Sequence, residues 1–446
     1  MDSAGLALPA DHRVYQRNSK GVATITFETH EKVRVRVRKG AKVVLAWRES
    51  KGRIDGVPTG GPYTLEFQLP NGSTAVVRDI LVGDLWVLAG QSNMDGCGKL
   101  LDLEPPSPMV HCFYHDDTWN IAQDPLCYVL ESIDPVHTSH LPNAEEVAKA
   151  RAWERRWREY GAGLGVRFGK DLAKATGVPI GLIMCSHGGT SLEQWDPAKK
   201  ELGGQSLYGS MMRRVLACGG AVAGMAWYQG ESDANEQLAP TYKDRMKAFI
   251  AAVRKDFKDA RLPFLQVQIG RFFIDETQFP PVWWNMVQQA QLDVQREVKG
   301  IGTISPMDGT LSDAIHIDAA SCRRTGARLA ELALVLKYGK KAPLALIPDK
   351  VRFANKARTQ IEITYANVRG KLAPASGVQG FWVEDANKER VLVTAAVAKG
   401  NRVLLALERS VPEATLWYGR NTNPLTNLHD KLFAAPVFGP VKIAAR

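Results

Sequence analysis

Residues 83–94 read GDLWVLAGQSNM, in which five consecutive apolar residues run directly into a polar turn. The apolar run at residues 85–89 predicts a strand that is covered on both faces, as the strands of a parallel sheet are. The turn that follows would expose the Ser92 hydroxyl above the edge of the sheet. This stretch therefore predicts an α/β fold whose functional groups lie at the carboxyl ends of its strands.

The sequence after this stretch alternates short apolar runs with long amphipathic segments, which is the pattern of βα units. Further buried strands are predicted at residues 180–185, 223–228, 264–269 and 301–305. Helices are predicted at about residues 143–175, 240–258, 285–298 and 318–337, the last with Asp318 as its N-cap. The alternation predicts a parallel sheet with helices on both faces.

The two ends of the chain have a different pattern, the period-two alternation of half-buried strands. Residues 33–37 alternate valine with arginine, and an Asn71-Gly72 turn with positive φ at both positions is predicted to form a hairpin. The same alternation returns from about residue 350. We therefore expect three domains: a β-sandwich-like domain at residues 1–82, a catalytic domain at 83–345 and a β domain at 346–446.

Composition excludes several classes of protein. The chain has 446 residues, 45% of them hydrophobic, so we expect a folded protein. Its formal charge of +10 is not gathered into one basic run, so no nucleic-acid partner is predicted. The sequence contains no apolar stretch of about 18 residues, so no membrane span is predicted, and no secretory signal is recognisable. The six cysteines form no CxxC pair, which excludes zinc-ribbon and thioredoxin-like proteins.

Residues 186–190 read SHGGT and follow the second predicted strand. Paired glycines let backbone N–H groups approach a ligand closely, so Gly188 and Gly189 are candidate donors to an oxyanion. Simple loop flexibility is the competing explanation. His187 is a candidate substrate-binding residue and a rival base, although no carboxylate precedes it at a suitable spacing.

Residues 229–233 read QGESD and end the third predicted strand. Gln229 can donate to an oxyanion without titrating. Glu231 or Asp233 could act as an acid or a base, although carboxylates at strand ends more often cap loops. The candidate substrate-binding residues at this strand end and beside Ser92 are Gln91, Asn93, Glu231 and Asp233.

An Asp/His pair, Asp313 and His316, follows the last predicted strand just ahead of a helix. The spacing of three residues lets Asp313 hold the imidazole of His316. A serine hydroxyl is a poor nucleophile at neutral pH and needs a base, which in turn needs an orienting group. We therefore predict a triad of Ser92, His316 and Asp313. The predicted oxyanion donors are the backbone N–H of Ser92, that of Gly188 or Gly189, and the amide of Gln229.

These blocks resemble the sialate O-acetylesterase family of carbohydrate esterases, within the SGNH hydrolase superfamily. The resemblance lies in residues 90–94, in Gly188-Gly189-Thr190 followed by Trp195, in residues 227–232 and in the Asp313/His316 block. Residues 14–17, 79–84 and 423–428 resemble the family's flanking β domains. The resemblance thus covers nearly the whole chain.

The resemblance implies a flavodoxin-like three-layer sheet with a parallel core, and removal of acetyl groups from sugar hydroxyls through an acetyl-serine intermediate. It implies no metal or organic cofactor. Members of the family act on O-acetyl sialic acids or on acetylated plant and algal polysaccharides, so an acetylated carbohydrate is the expected partner. The chain departs from the family at His187, where tryptophan is common, at Asp233, where asparagine is frequent, and at Ile317, where proline is frequent.

Other functions are open at this point. A carbohydrate-binding protein with a silent SGNH domain is one alternative, against which the presence of Ser92, Asp313 and His316 argues. A broad-specificity hydrolase of small esters is another. An α/β-hydrolase is disfavoured because no Gly-x-Ser-x-Gly follows the HGG at residues 187–189. No metal site is predicted, because neither histidine pair (111 and 115, 137 and 140) has a third ligand at a recognisable spacing.

Sugar-polymer substrates favour a secreted or periplasmic protein whose signal has been removed. The cytoplasm is the alternative, because free thiols would be comfortable there. Sequence patterns make no prediction of the oligomeric state or of the particular sugar.

Overall fold

The computed structural model describes residues 7–157 and 159–443. Its amino-terminal part consists of strands that enclose a small core of their own. Val33, Val35 and Val37 are buried in that core, as their alternation with arginine predicts. The strands are β1 (Val14–Gln16), β2 (Val22–Thr26), β3 (Val33–Lys39), β4 (Lys42–Ser50), β5 (Arg53–Pro58) and β6 (Gly60–Gln68).

The next strand, β7 (Thr74–Gly90), runs from this amino-terminal part into the central sheet. Its first half pairs antiparallel with β6, and its second half lies between two parallel neighbours. The predicted domain boundary at residues 82 and 83 therefore falls within one continuous strand. That continuity fixes the position of the amino-terminal strands relative to the turn at Ser92.

The hairpin between β6 and β7 is confirmed, but the predicted turn geometry is wrong. Of the two central residues only Gly72 has a positive φ, of 84°. The Leu69 N–H bonds Ser73 O, and the Gly72 N–H bonds Leu69 O. These bonds close a three-residue loop, in which a type I turn is followed by a single left-handed glycine.

The central part alternates strands and helices around β7, and the prediction of an α/β sheet is confirmed. Its strand order is β10-β9-β12-β7-β13-β14-β15, parallel throughout except for the antiparallel edge strand β10. The strands are β8 (Gly98–Lys99), β9 (Val110–Phe113), β10 (Trp119–Ile121), β11 (Tyr160–Ala162), β12 (Ile180–Met184), β13 (Gly224–Tyr228), β14 (Phe264–Val267) and β15 (Ile301–Ile304). The helices are α1 (Ser92–Asp95), α2 (Ala144–Trp157), α3 (Gly165–Thr176), α4 (Leu207–Ala217), α5 (Tyr242–Asp256), α6 (Pro281–Glu297) and α7 (Ala319–Leu336).

Successive residues of β7 pack into two different cores, one on each face of the sheet. Trp86 packs with Phe168 of α3 and with residues of α7. Val87 packs with residues of α4 and α5. Both faces are therefore covered by helices, which explains why residues 85–89 are all apolar.

The prediction of one helix over residues 143–175 is wrong, because α2 and α3 are separated by β11. Gly161 has a φ of 152°, which a helix does not allow. A Cβ on Gly96 would lie 2.9 Å from both Gly161 O and Gly163 Cα. The glycine-rich segment thus lies against the turn that follows Ser92. This close approach interrupts the predicted helix.

The carboxyl-terminal part consists of two four-stranded antiparallel sheets, ordered β16-β17-β21-β20 and β19-β18-β22-β23. It is packed against the central part, since Gln268 Nε2 donates to Val437 O and Arg328 Nε donates to Leu432 O. The strands are β16 (Ile347–Phe353), β17 (Gln360–Ala366), β18 (Phe381–Asp385), β19 (Arg390–Val391), β20 (Val393–Lys399), β21 (Arg402–Leu407), β22 (Ala414–Tyr418) and β23 (Phe438–Lys442). None of the helices in residues 7–157 and 159–443 is long and apolar enough to cross a membrane.

Candidate active site

Ser92 lies where β7 leaves the sheet. Gly90 has a φ of 138°, and a Cβ on it would lie 2.1 Å from Tyr228 O, so only glycine fits. The Gln91 N–H donates to Tyr228 O at 2.9 Å, which holds the turn against the end of β13. Ser92 then begins α1 and remains partly exposed.

The side chains of Ser92, His316 and Asp313 form one hydrogen-bonded chain. Ser92 Oγ is 2.9 Å from His316 Nε2, and His316 Nδ1 is 2.6 Å from Asp313 Oδ2. Asp313 Oδ1 also accepts the backbone N–H groups of Ile315 and His316, both at 2.8 Å. With Nδ1–H donated to Asp313, the bare Nε2 of the imidazole is aimed at the serine hydroxyl.

Burial alone would raise the pKa of Asp313, but its hydrogen bonds from the His316 ring and from two backbone N–H groups outweigh that effect. The pKa of this carboxyl is therefore lowered from its ordinary value. Asp313 is accordingly a fixed negative charge at neutral pH, beside the imidazole that it orients.

The loop that carries this pair is held on both sides. Leu311 and Ile317 form an isolated β-bridge, and Ser312 N–H donates to His316 O at 2.8 Å. Ser312 Oγ donates to Cys97 O, next to the serine turn. From the other side, the Phe273 N–H donates to Ala314 O at 2.7 Å. No sequence pattern predicts the contact of Phe273, which joins loops from different strand ends.

Asn93 ties the serine turn to two other loops. Its Nδ2 donates to Glu231 Oε1 at 2.9 Å, and its Oδ1 accepts the Ile317 N–H at 3.1 Å. Its side chain is buried. The residue predicted to bind substrate thus fixes the position of Ser92 relative to the histidine loop.

The glycine pair lies beside Ser92. A Cβ on Gly188 would lie 3.6 Å from Ser92 Cβ and 3.2 Å from Asp95 Oδ2. Gly189 is exposed and has a φ of 69°. In the described part of the chain no backbone carbonyl accepts the N–H of Gly188.

Residues 82–335 match the family described as carbohydrate esterase, sialic acid-specific acetylesterase. The chain belongs to this family. The resemblance predicted from the sequence is confirmed, and the protein is a carbohydrate O-acetylesterase, which hydrolyses O-acetyl esters of sugars.

Individual relatives agree with this assignment. A probable carbohydrate esterase of Arabidopsis thaliana is 26% identical over 275 residues, covering 56% of this chain and 90% of that protein. Human sialate O-acetylesterase is 25% identical over 243 residues, covering 49% of this chain and 44% of the human protein. The crystal structure of a carbohydrate acetylesterase from Xanthomonas citri has a TM-score of 0.70 at 24% identity, covering 97% of this chain and 99% of that one. The fold, with its β-rich ends, is thus shared along nearly the full length.

Gln229 of the esterase is fully buried, and its amide is bonded within the protein. Its Nε2 donates to Thr190 O at 3.0 Å and to Asp233 Oδ2 at 2.5 Å. Both N–H groups of the amide are therefore occupied, and neither is left for an oxyanion while these bonds persist. In this arrangement Gln229 supports the SHGGT loop through its bond to Thr190 O.

The carboxylates beside Gln229 are internal as well. Asp233 accepts the Leu192 N–H at 2.7 Å and pairs with Arg245 at 3.0 Å. Burial raises the pKa of Asp233 and that of Glu231, although hydrogen bonds oppose the shift in each. The amide of Gln91 lies 3.3 Å from the backbone N–H groups of Gly230 and Ser232. These predicted substrate-binding residues hold the loops of the site together.

His187 of the esterase is bonded to another histidine rather than to the triad. Its Nδ1 lies 2.9 Å from Nδ1 of His137, and the two rings are stacked with centroids 5.0 Å apart. Burial, with His140 as a smaller influence, lowers the pKa of His187 to about 4. No bond joins it to Ser92 among the described residues. From the sequence, His137 is a candidate only for a metal ligand. No local sequence pattern connects it to His187.

Within the described residues, no three His, Cys, Asp or Glu side chains come together in an arrangement that could hold a metal ion.

Proposed function

We propose that this esterase removes acetyl groups from sugar hydroxyls through an acetyl-serine intermediate on Ser92. The observation that carries the proposal is the hydrogen-bonded chain from Ser92 Oγ through His316 to Asp313, with distances of 2.9 and 2.6 Å. Such a chain activates a hydroxyl that is otherwise a weak nucleophile.

In the first half of the proposed reaction, His316 Nε2 takes the Ser92 proton while Oγ attacks the acetyl carbonyl carbon. Asp313 holds the ring through Nδ1–H and stabilises the imidazolium that forms. The carbonyl π electrons move onto oxygen. When the tetrahedral intermediate collapses, the bond to the sugar oxygen breaks and the imidazolium gives its proton to that oxygen.

In the second half, His316 takes a proton from a water molecule that attacks the acetyl-serine carbonyl. Collapse of this second intermediate breaks the bond to Ser92 Oγ, which regains a proton from the imidazolium. Acetic acid leaves and gives its proton to solvent to become acetate, and the starting state of the triad is restored.

The proposed oxyanion donors are the backbone N–H groups of Ser92 and Gly188, two residues that are in contact at the turn. Loss of one such donor typically costs about 3 kcal/mol, or roughly a hundredfold in rate. Gly189 is the alternative glycine donor. Gln229 can join only if its amide leaves Thr190 O or Asp233, so we assign it a lesser part.

The proposed substrates are O-acetylated sugars, either O-acetyl sialic acid or acetylated xylan and xyloglucan-type glycans. The family description and the human relative's name support the first class. A broad-specificity hydrolase of small esters is the second candidate, since Ser92 lies in a turn that is partly open to solvent.

We also propose the division of labour within the chain. The catalytic domain would span residues 83–345 as a flavodoxin-like three-layer unit, supported by the parallel strand order β12-β7-β13-β14-β15. Residues 1–82 and 346–446 would be β domains that flank it.

The test is acetate release from O-acetyl sialic acid, acetylated xylan, acetylated xyloglucan and a simple aryl acetate. We expect faster release from one of the sugar esters than from the aryl acetate at equal concentration. The Ser92→Ala variant should retain the fold, measured by circular dichroism, and lose acetate release. Preference for the aryl acetate would favour the small-ester hydrolase, and turnover by Ser92→Ala would overturn the mechanism.

A further inference from the structure

A relay of polar side chains behind the glycine pair connects a fixed charge to His187. Asp134 Oδ2 accepts the Ser210 hydroxyl at 2.6 Å, and Ser210 Oγ is 3.3 Å from His137 Nε2. His137 Nδ1 is then 2.9 Å from His187 Nδ1. The members come from three separate segments of the chain, and three of them are buried: Asp134, His137 and Ser210.

The charge at the start of the relay is held in place by Arg213, which pairs with Asp134 at 2.6 Å. Burial opposes ionisation of Asp134, but the bonds from Arg213 and Ser210 prevail and its pKa is lowered. An ionised carboxylate only accepts hydrogen bonds. The single hydroxyl proton of Ser210 is therefore directed at Asp134, the strongest acceptor it has.

The direction of that proton fixes the protonation of the next two rings. Because the Ser210 proton points to Asp134, Ser210 Oγ accepts from His137, so His137 carries its proton on Nε2. His137 Nδ1 is then bare and accepts a proton from His187 Nδ1. Both rings are neutral, since burial lowers the pKa of His137 to about 3 and that of His187 to about 4. His187 is left with an unprotonated Nε2.

His187 belongs to the loop that lies against the serine turn. His187 donates its backbone N–H to Gly90 O at 3.0 Å and directly precedes Gly188, which lies against Ser92. The His187 ring is only partly buried, and within residues 7–157 and 159–443 no group bonds its Nε2. A bare imidazole nitrogen accepts from a hydroxyl and has nothing to gain from an acetyl methyl group.

We propose that His187 is a specificity-determining residue whose Nε2 accepts a hydrogen bond from a free hydroxyl of the acetylated sugar. The inference rests on the proposed function, because it concerns the alcohol part of the same ester. Asp134, Ser210 and His137 are positioning residues that fix the accepting tautomer. Aryl acetates lack such a hydroxyl and are indifferent to the relay.

The test compares His187→Phe with the unmutated esterase on three kinds of ester: an acetylated monosaccharide that the enzyme hydrolyses, a set of its monodeoxy analogues, and an aryl acetate. Phenylalanine keeps the ring and removes the acceptor. We expect the unmutated enzyme to lose about tenfold in kcat/KM on one deoxy analogue, the size of one lost hydrogen bond. His187→Phe should lose the same factor on the parent sugar and show no further loss on that analogue.

A second test uses Ser210→Ala. This variant keeps His187 but removes the hydroxyl that fixes which nitrogens of His137 and His187 carry protons. We expect a smaller loss of kcat/KM on the parent sugar and an unchanged rate on the aryl acetate. Equal losses on sugar and aryl esters, or undiminished discrimination against the deoxy analogue in His187→Phe, would overturn the proposal. Failure of the unmutated enzyme to hydrolyse any sugar ester would instead overturn the proposed function.

Discussion

Two polar strand ends meet at Asn93, and similar residues do different work in them. The loop after β15 carries Asp313, whose side chain is 42% exposed and which pairs with His316. The loop after β13 carries Asp233, whose side chain is fully buried and which pairs with Arg245. The first carboxylate orients a base next to Ser92, whereas the second holds loops together.

The surroundings of a carboxylate at a strand end, rather than its residue type, decide what it does. Hydrogen bonds lower the pKa of Asp313 despite its partial burial, whereas burial raises the pKa of Asp233 despite its hydrogen bonds. Mutations at the two loops should therefore separate loss of activity from loss of stability.

The largest effect is expected at His316, the base of the reacting loop. His316→Ala should lower kcat on an aryl acetate by about 10⁴-fold, since triad members act as a unit. Stopped assays at saturating ester measure this loss. Near-normal turnover would transfer the role of base to another residue, such as His187 in the SHGGT loop.

Asp313→Asn should lower kcat by about 10³-fold to 10⁴-fold, because the amide no longer holds the ring in the reactive tautomer. The matched change Asp233→Asn should lower kcat far less, because Asp233 contacts Gln229, Leu192 and Arg245 and no triad member. The measurement is kcat of the two variants under the same conditions. Equal losses of kcat would contradict the different roles assigned to the two loops.

The loss of stability should be larger for the change at Asp233 than for the change at Asp313, the reverse of the order expected for kcat. Asp233→Ala leaves Arg245 without its buried partner and should lower the free energy of unfolding by about 2 kcal/mol. Asp313→Ala should change it by less than about 1 kcal/mol, because this carboxylate is partly exposed. Urea unfolding of both variants would show it, and a more destabilised Asp313→Ala would contradict the comparison.

A smaller effect is expected in the pH dependence of stability. The pKa of Glu231 is raised by burial, so the folded state binds its proton more tightly than the unfolded state does. This contribution grows as the pH falls from neutral through the raised pKa, and it is complete below the ordinary value of 4.5. Glu231→Gln lacks it, so unfolding at pH 7 and at pH 4.5 should show the unmutated protein gaining on the variant toward acid. A pH-independent difference would contradict the shift.

The sequence was sufficient for the central strands because their burial on both faces leaves continuous apolar runs. It was insufficient where packing between distant segments decides the backbone. Residues 159–164 lie within a predicted helix, but the close approach of Gly161 to Gly96 prevents a helix there. Strand β9, which lies next to the edge strand β10, and helix α4 were not predicted either, because neither stands out by periodicity.

At the site, the polar strand ends could be predicted from the sequence, but most contacts between their side chains could not. Asp313 and His316 are three residues apart, so their contact follows from spacing. The bonds of Asn93 to Glu231 and of His137 to His187 join segments 138 and 50 residues apart. No local pattern encodes such contacts, so neither the bond between Asn93 and Glu231 nor the one between His137 and His187 could be predicted.

The most direct test of the account is to find where the acetyl group is carried. The esterase is mixed with an activated acetyl ester, so that deacylation limits turnover, then quenched in acid and digested for peptide mass spectrometry. The account predicts one acetyl group on the peptide that contains Ser92, and none in the Ser92→Ala protein. An acetyl group on another residue, or steady turnover by Ser92→Ala, would contradict it.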